Sequence, residues 1–124
     1  MKYKLTVRKN PQNPQAAGKL YAAPVNDGKV TQKEISADIV ALSSLSRGDV
    51  SNVIDNLLDT VPKYLLMGKS VSLGALGTFR LSFSSAGVDV PEAFNTKMIS
   101  GVKILFTPSS ELKAAIEKIS FEKA

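Results

Sequence analysis

Basic side chains are concentrated at the start of the chain. Residues 1–30 carry six lysine and arginine residues against one acid, Asp27, whereas residues 31–124 carry ten basic and ten acidic residues. The formal net charge of +5 therefore belongs to the first thirty residues. Summed positive potential attracts phosphate at long range, so this segment predicts binding of a polyanion such as a nucleic acid. The alternative interpretation is that these side chains only keep an exposed strand pair in solution. The candidate cations are Lys2, Lys4, Arg8, Lys9 and Lys19.

The side chains that most often carry catalysis are missing. The chain has no histidine and no cysteine, which removes the usual proton-transfer group near neutral pH, thiol nucleophiles, disulfides and the commonest metal ligands. The segment Gly74-Ala75-Leu76-Gly77 lacks the lysine and the helix context of a phosphate-binding P-loop. We therefore predict that the protein is not an enzyme and has no catalytic residue, metal, cofactor or small-molecule substrate.

Two strands are predicted in this basic segment. Tyr3, Leu5 and Val7 alternate with polar and basic residues, which is typical of a strand with one apolar and one basic face. Residues 10–18 hold two prolines and Gly18 and are expected to form a loop. Lys19 to Val25 follow as a second strand. We predict a β-hairpin extension over residues 1–29 and a separate domain over residues 30–124.

Two helices are predicted next. Thr31 and Glu34 have the spacing of a capping box, and the helix that they begin should end near Ser43 or Ser44. Ser46 caps a second helix, which carries a wide apolar stripe. This helix should end at Gly68. Pro62 lies inside it and predicts a bend just before that residue. The apolar stripe comprises Val50, Val53, Ile54, Leu57, Leu58, Val61 and Leu65.

A β-hairpin and a short helix complete the pattern. Residues 71–83 alternate between apolar and polar types around Gly74 and Gly77, which should supply positive φ angles in the turn. A third strand over Val102 to Phe106 and a helix beginning near Pro108 should follow. Residues 120–124 are expected to be frayed. The length of 124 residues suits one hydrophobic core. The sequence shows neither an apolar run of membrane-spanning length nor a secretory leader, so we expect a cytoplasmic protein.

This order of elements resembles the HU and integration host factor family of bacterial histone-like DNA-binding proteins. The resemblance covers roughly residues 30–119, and Phe106-Thr107-Pro108 matches the family's Phe-x-Pro. Ala75-Leu76-Gly77-Thr78-Phe79 stands where the family has Gly-Phe-Gly-Thr-Phe. The family's β-arm carries an Arg-Asn-Pro tip flanked by cations, whereas residues 84–92 here retain only Pro91. The hairpin at residues 1–29 lies outside the resemblance.

The resemblance implies an α+β fold: two N-terminal helices, a three-stranded antiparallel sheet with a β-arm and a short C-terminal helix, here with an extra N-terminal β-hairpin. Two copies would form an intertwined homodimer. The alternative is a monomer whose apolar helical stripe is covered by its own N-terminal hairpin.

The resemblance also implies non-sequence-specific binding and bending of double-stranded DNA in the nucleoid. The N-terminal cations would lie along the same phosphate track as the cations of the sheet and the last helix. Pro91 would be the intercalating wedge, or would instead begin a helical turn in a shortened, folded-back arm. The competing hypothesis is an HU-like structural or protein-interaction module that has lost DNA bending. The remaining candidate DNA contacts are Arg80, Lys97, Lys103 and Lys113.

Overall fold

A computed structural model describes all residues, 1–124. The fold is mixed α+β, as predicted, with three α-helices and two three-stranded sheets. The strands are β1 Lys2–Arg8, β2 Lys19–Pro24, β3 Val71–Ser72, β4 Gly77–Ser85, β5 Ile99–Pro108 and β6 Glu122–Lys123. The helices are α1 Gln32–Leu42, α2 Arg47–Leu66 and α3 Ser110–Ile116, and two 3-10 turns lie at Pro91–Ala93 and Thr96–Met98.

The two ends of the chain share one sheet, here called the terminal sheet, with strand order β2-β1-β6. Strands β1 and β2 form the expected antiparallel hairpin, and β6 pairs parallel to β1. The N-terminal ammonium group donates to the Ser120 carbonyl at 2.6 Å, and the Ala124 N–H donates to the Tyr3 carbonyl at 2.9 Å. The expectation of a frayed C-terminal tail is therefore wrong, because the tail finds hydrogen-bond partners more than a hundred residues away along the chain.

Local sequence signals place the starts of α1 and α2 correctly, whereas α3 begins at Ser110 and the Pro108 predicted to begin it is the last residue of β5. The Thr31 hydroxyl accepts from the Glu34 N–H at 3.4 Å, and the Glu34 carboxylate accepts from the Thr31 N–H at 2.7 Å. The same reciprocal pair joins Ser46 to Asp49 at the start of α2. Hydrogen bonds from the Thr31 backbone and hydroxyl lower the pKa of Glu34. Bonds from the Ser46 hydroxyl and backbone do the same for the pKa of Asp49. These caps satisfy backbone donors that would otherwise lack partners.

The double substitution Glu34→Gln with Asp49→Asn is expected to reduce the acid sensitivity of the fold. Both folded-state pKa values lie below their ordinary values of 4.5 and 3.8, so the unfolded chain takes up protons first as the pH falls. The stabilisation is complete above about pH 5 and is lost as the pH falls through the lowered values. Thermal midpoints measured by circular dichroism from pH 6 to pH 3 should fall less for the variant than for the wild type.

The matched control is Asp55→Asn with Glu117→Gln, which removes two carboxylates that accept no hydrogen bond in the structure. This control should follow the wild-type pH dependence. Parallel curves for the wild type and the cap variant would contradict the assignment of acid sensitivity to the caps.

Helix α2 runs without interruption through Pro62. The ring therefore neither ends nor restarts the helix, although it removes one backbone donor. Beyond the helix, Gly68 adopts a φ of +79°, the left-handed conformation expected of a glycine that follows a helix. The bend predicted before Pro62 remains a prediction.

The second sheet, here called the central sheet, has strand order β3-β4-β5 and is antiparallel throughout. Gly74 and Gly77 adopt positive φ angles of +59° and +146°, as predicted. A Cβ atom at Gly77 would lie 2.7 Å from the Phe106 ring and also against the Thr107 carbonyl oxygen. Ser109, which caps α3, donates its hydroxyl to the Ala75 carbonyl and fixes the turn to that helix. Glycine at position 77 is thus required by conformation and by space.

At the end of the central sheet that is farther from the Gly74–Gly77 turn, β4 and β5 form a short arm whose tip spans residues 86–98. The strands are irregular at Ser82 and Ser84, and the Ala86 N–H closes the arm by donating to the Met98 carbonyl at 3.1 Å. The two 3-10 turns fill the tip. The tip is therefore a compact folded loop rather than a long extended ribbon.

A single chain buries very little of its apolar surface. Only three of the 124 residues are buried, and the two with large side chains, Val50 and Leu65, both belong to α2. Val53 and Leu58 on the same helix remain 61% exposed. The terminal sheet makes no extensive contact with the helices or the central sheet, so the alternative of a monomer covered by its own N-terminal hairpin does not describe this structure. None of the three helices combines the length and apolar character needed to cross a membrane.

Candidate nucleic-acid interface

The cations of the first two strands lie on one face of the terminal sheet. Residues directly opposite each other in an antiparallel pair share a face, and the register pairs Lys4 with Ala23, Thr6 with Tyr21 and Arg8 with Lys19. The basic face, as it is called here, comprises Lys2, Lys4, Thr6, Arg8, Lys19, Tyr21 and Ala23. The opposite face is apolar and comprises Tyr3, Leu5, Val7, Leu20, Ala22 and Pro24. The alternation seen in the sequence thus separates charge from apolar surface.

Most of the basic face is free of acidic partners. The salt bridge from Lys2 to Asp27, at 3.4 Å, is the one ion pair within 4.0 Å in the structure. Arg8 instead lies over the Tyr21 ring, with its guanidinium carbon 5.7 Å from the ring centroid. That distance allows a cation–π attraction that holds the guanidinium beside the ring. Lys4, Arg8 and Lys19 therefore keep their positive potential available to an external anion.

The basic face continues into an open groove at the turn of the hairpin. This groove, the loop groove, has a volume of about 560 Å³. Two turns fix its wall, with the Asn13 N–H donating to the Asn10 carbonyl at 3.0 Å and the Ala16 N–H donating to the Asn13 carbonyl at 3.1 Å. No acidic side chain lines it. The side chains that argue for a ligand are Arg8, Lys9, Lys19, Tyr21, Asn10 and Asn13.

The other predicted cations are more dispersed. Arg80 lies opposite Leu105, and Lys103 lies opposite Ser82 two positions along, so Arg80 and Lys103 share one face of the central sheet. Lys97 lies in the second 3-10 turn of the arm tip, where its backbone N–H donates to the Asn95 side chain at 2.9 Å. Lys113 belongs to α3. The fold thus brings Arg80 and Lys103 to a common surface and places Lys97 and Lys113 on other elements.

Pro91 is the first residue of the first 3-10 turn. The sequence-based alternative that this proline begins a helical turn is confirmed in that short form. Its apolar neighbours at the tip remain accessible, with Val90 52% and Phe94 41% exposed. The tip therefore presents an apolar surface in which Pro91 is one of several candidates for contact with a ligand.

The structure reveals possible ligand contacts that composition did not indicate. Tyr21 has no role that the sequence alone indicates, yet its ring lies among the cations of the basic face. Asn10 and Asn13 were expected only to form part of a loop. The alternation of Lys19, Tyr21 and Ala23 could have identified Tyr21 once the faces of β2 were considered. The asparagines join the groove only through the turns that fold the loop back, which no pattern in the sequence specifies.

Other kinds of site find little support in the structure. No group of three or more histidine, cysteine, aspartate or glutamate side chains is placed to hold a metal ion. A smaller open groove between the starts of α1 and α2 is lined by Gln32, Lys33, Ser36, Arg47 and Ser51, and it too contains no acidic side chain.

Comparisons with known proteins agree with this architecture. A search of curated proteins found no match. A crystal structure of a candidate bacterial DNA-binding protein from Bacteroides vulgatus ATCC 8482 superposes with a TM-score of 0.64 at 18% sequence identity. The superposition covers 98% of this chain and 47% of that one, so the chain spans about half the length of its structural neighbour. The sequence model of HU-HIG, described as an HU domain fused to wHTH, Ig, or glycine-rich motif, matches residues 1–123. The predicted relationship to HU is thus confirmed, and the chain belongs to the HU-HIG family.

Proposed function

We propose that this chain is a homodimeric, non-sequence-specific DNA-binding protein of the bacterial nucleoid that bends duplex DNA. Cations of the central sheet, α3 and the terminal sheet contact the phosphates, and the arm tip inserts into the minor groove. The observation that carries the proposal is the HU-HIG match over residues 1–123 of a chain whose whole excess of positive charge lies in one segment. The description of the structural neighbour as a candidate DNA-binding protein supports the same ligand.

The dimer is supported by the exposed apolar surface of the single chain. Small domains need a core that covers their helices, yet α2 leaves Val53, Leu57 and Leu58 between 41% and 61% exposed. An open cleft of about 440 Å³ also separates the C-terminal end of α2 from the central sheet, with Leu65, Leu81, Phe83 and Val102 among its lining residues. A second copy would cover these surfaces and supply the core that one chain lacks.

Binding without sequence preference follows from the kind of groups available. Lysine and arginine contacts to phosphates position a protein on DNA but carry no sequence information. The minor groove presents nearly the same acceptors for both orientations of a base pair, so an apolar tip reads little there. Insertion of Pro91 or a neighbouring tip residue would unstack one base step at a cost of about a few kcal/mol, which added phosphate contacts would offset.

In this proposal the chain has a hairpin extension at residues 1–29, to which β6 adds a strand, and an HU-like domain at residues 30–124. The extension adds phosphate contacts that the arm lacks, since the segment from residue 84 to residue 103 contains Lys97 and Lys103 against Asp89 and Glu92. That near-neutral arm also favours a second candidate function, an HU-like interaction module without DNA bending.

The proposal is tested with a fluorescein-labelled 30-base-pair duplex by anisotropy, at several salt concentrations. The wild type should bind two unrelated duplexes with similar affinity, and log K should fall linearly with log salt. Arg80→Gln with Lys103→Gln should reduce the salt slope by about 0.9 for each phosphate that is no longer neutralised. Absence of duplex binding at 20 mM salt would reject DNA binding and favour the interaction module. Energy transfer between end labels then reports whether the bound duplex is bent.

A further inference from the structure

The geometry points to a site for unpaired nucleotides, formed by the basic face around Tyr21 and the loop groove beside it. The ligand class is single-stranded DNA or RNA, held by stacking of a base on the Tyr21–Arg8 pair and by contact of its phosphates with Lys9 and Lys19. This inference extends the proposed function, because the same cations are proposed there as contacts to duplex phosphates.

The aromatic ring of Tyr21 lies among the cations of the terminal sheet. It lies on the basic face of β2, opposite Thr6 and next to the Arg8–Lys19 pair. Tyr21 is 45% exposed, so part of its surface is accessible to a ligand. The Arg8 guanidinium carbon lies 5.7 Å from the centroid of the Tyr21 ring. Exposed aromatic rings and arginine planes on a sheet surface are the groups on which proteins stack unpaired bases.

The loop groove is lined by groups that can bind the phosphate and the base edge of a nucleotide. Its volume of about 560 Å³ lies within the range of roughly 300–1,000 Å³ that is usual for small-ligand sites. Arg8, Lys9 and Lys19 line it, and no carboxylate is present to repel a phosphate. The Asn10 side-chain oxygen accepts from the Gln12 N–H at 3.0 Å, which leaves its amide N–H groups free to donate to a ligand. Lys9 and Lys19 would contact a phosphate, and the Tyr21–Arg8 pair would stack on the plane of a base. The Asn10 amide would donate to the edge of a base.

An unpaired nucleotide fits this site better than a duplex does. In a duplex each base is stacked between its neighbours and cannot place its plane on a protein ring. The phosphates of a duplex can still meet Lys9 and Lys19. Tyr21 should therefore distinguish single strands from duplexes, whereas the lysines should contribute to both.

The test compares Tyr21→Ala with the matched variant Tyr21→Phe in the full chain. Anisotropy is measured with labelled dT15, labelled rU15 and a blunt 15-base-pair duplex. Removal of one stacked base predicts that Tyr21→Ala weakens single-strand binding about 5- to 150-fold. Tyr21→Phe should stay within about twofold of the wild type, and duplex affinity should stay within about twofold for both variants. A preference between dT15 and rU15 identifies the natural strand as DNA or RNA.

A second variant tests the phosphate contacts without touching the ring. Lys9→Gln with Lys19→Gln should lower the single-strand salt slope by about 1.4, since each neutralised phosphate of a single strand contributes about 0.7. Equal single-strand affinity for the wild type and Tyr21→Ala would overturn the inference, and so would an equal loss of affinity in Tyr21→Phe. Binding of dT15 without binding of the duplex would reject the proposed function and leave this inference standing.

Discussion

Leu58→Asp is expected to abolish self-association and to unfold the chain at micromolar concentration. In one chain the Leu58 side chain is 61% exposed, and a substitution at such an exposed surface position normally changes stability by less than about 0.5 kcal/mol. In the proposed dimer the same side chain is covered by the partner. Burial of a leucine contributes about 1.5–3 kcal/mol, and an unpaired carboxylate in its place adds a larger penalty. Two copies carry the change, so the total loss of stability approaches the roughly 5–15 kcal/mol that typically holds a domain together.

The control for this experiment is Asn56→Asp, which adds the same charge on the opposite side of α2. The side-chain amide of Asn56 bonds Asn52 one turn back rather than any other element. Sedimentation velocity and circular dichroism should show a folded dimer for the wild type and for Asn56→Asp. If Leu58→Asp remains folded and sediments like the wild type, the apolar stripe is not an interface and the dimer proposal fails.

The sequence predicted elements whose causes are local. The Thr31 and Ser46 caps depend on a side chain and a backbone three residues apart, so residue types and spacing were sufficient to place both helix starts. Gly74 and Gly77 were identified in the same way, since the turn needs positive φ angles there. The two faces of β1 also follow from alternation alone.

The missed features depend on partners that are distant in sequence. Strand β6 contains only Glu122 and Lys123, which have no strand pattern of their own and are ordered by pairing with β1. The loop groove depends on turns at Asn10 and Asn13 that bring the loop back beside Tyr21. Pro62 was misleading for the opposite reason. Proline by itself disfavours the interior of a helix, yet α2 continues on both sides of Pro62.

The sequence also could not show how the N-terminal cations are arranged relative to the other cations of the chain. Charge arithmetic located the basic segment but not its geometry, and the prediction of a single phosphate track that joins Lys2 to Lys113 remains a prediction. The terminal sheet makes no extensive contact with the central sheet in one chain, so the relation between the two basic regions depends on how the dimer and the DNA bring them together.

Replacing Lys4, Arg8, Lys9 and Lys19 with glutamine is therefore expected to cause the largest decrease in duplex affinity of any change outside the core. Glutamine keeps much of the length of these side chains and leaves the β1–β2 backbone pairing intact, so the variant preserves the terminal sheet that a deletion would remove. Each phosphate that is no longer neutralised should reduce the salt slope by about 0.9, or about 3.6 per chain if all four side chains bind DNA. Affinity at about 50 mM salt should fall by at least about 100-fold.

The matched control removes four charges from the rest of the chain, by glutamine at Lys33, Lys63, Lys69 and Lys118. Both variants have the same net charge, so a general decrease in long-range attraction would weaken them equally. Direct contact through the terminal sheet predicts instead that the slope changes mainly in the first variant. Equal slopes in the two variants would mean that the N-terminal cations act only through net charge, and the extension would then need another explanation.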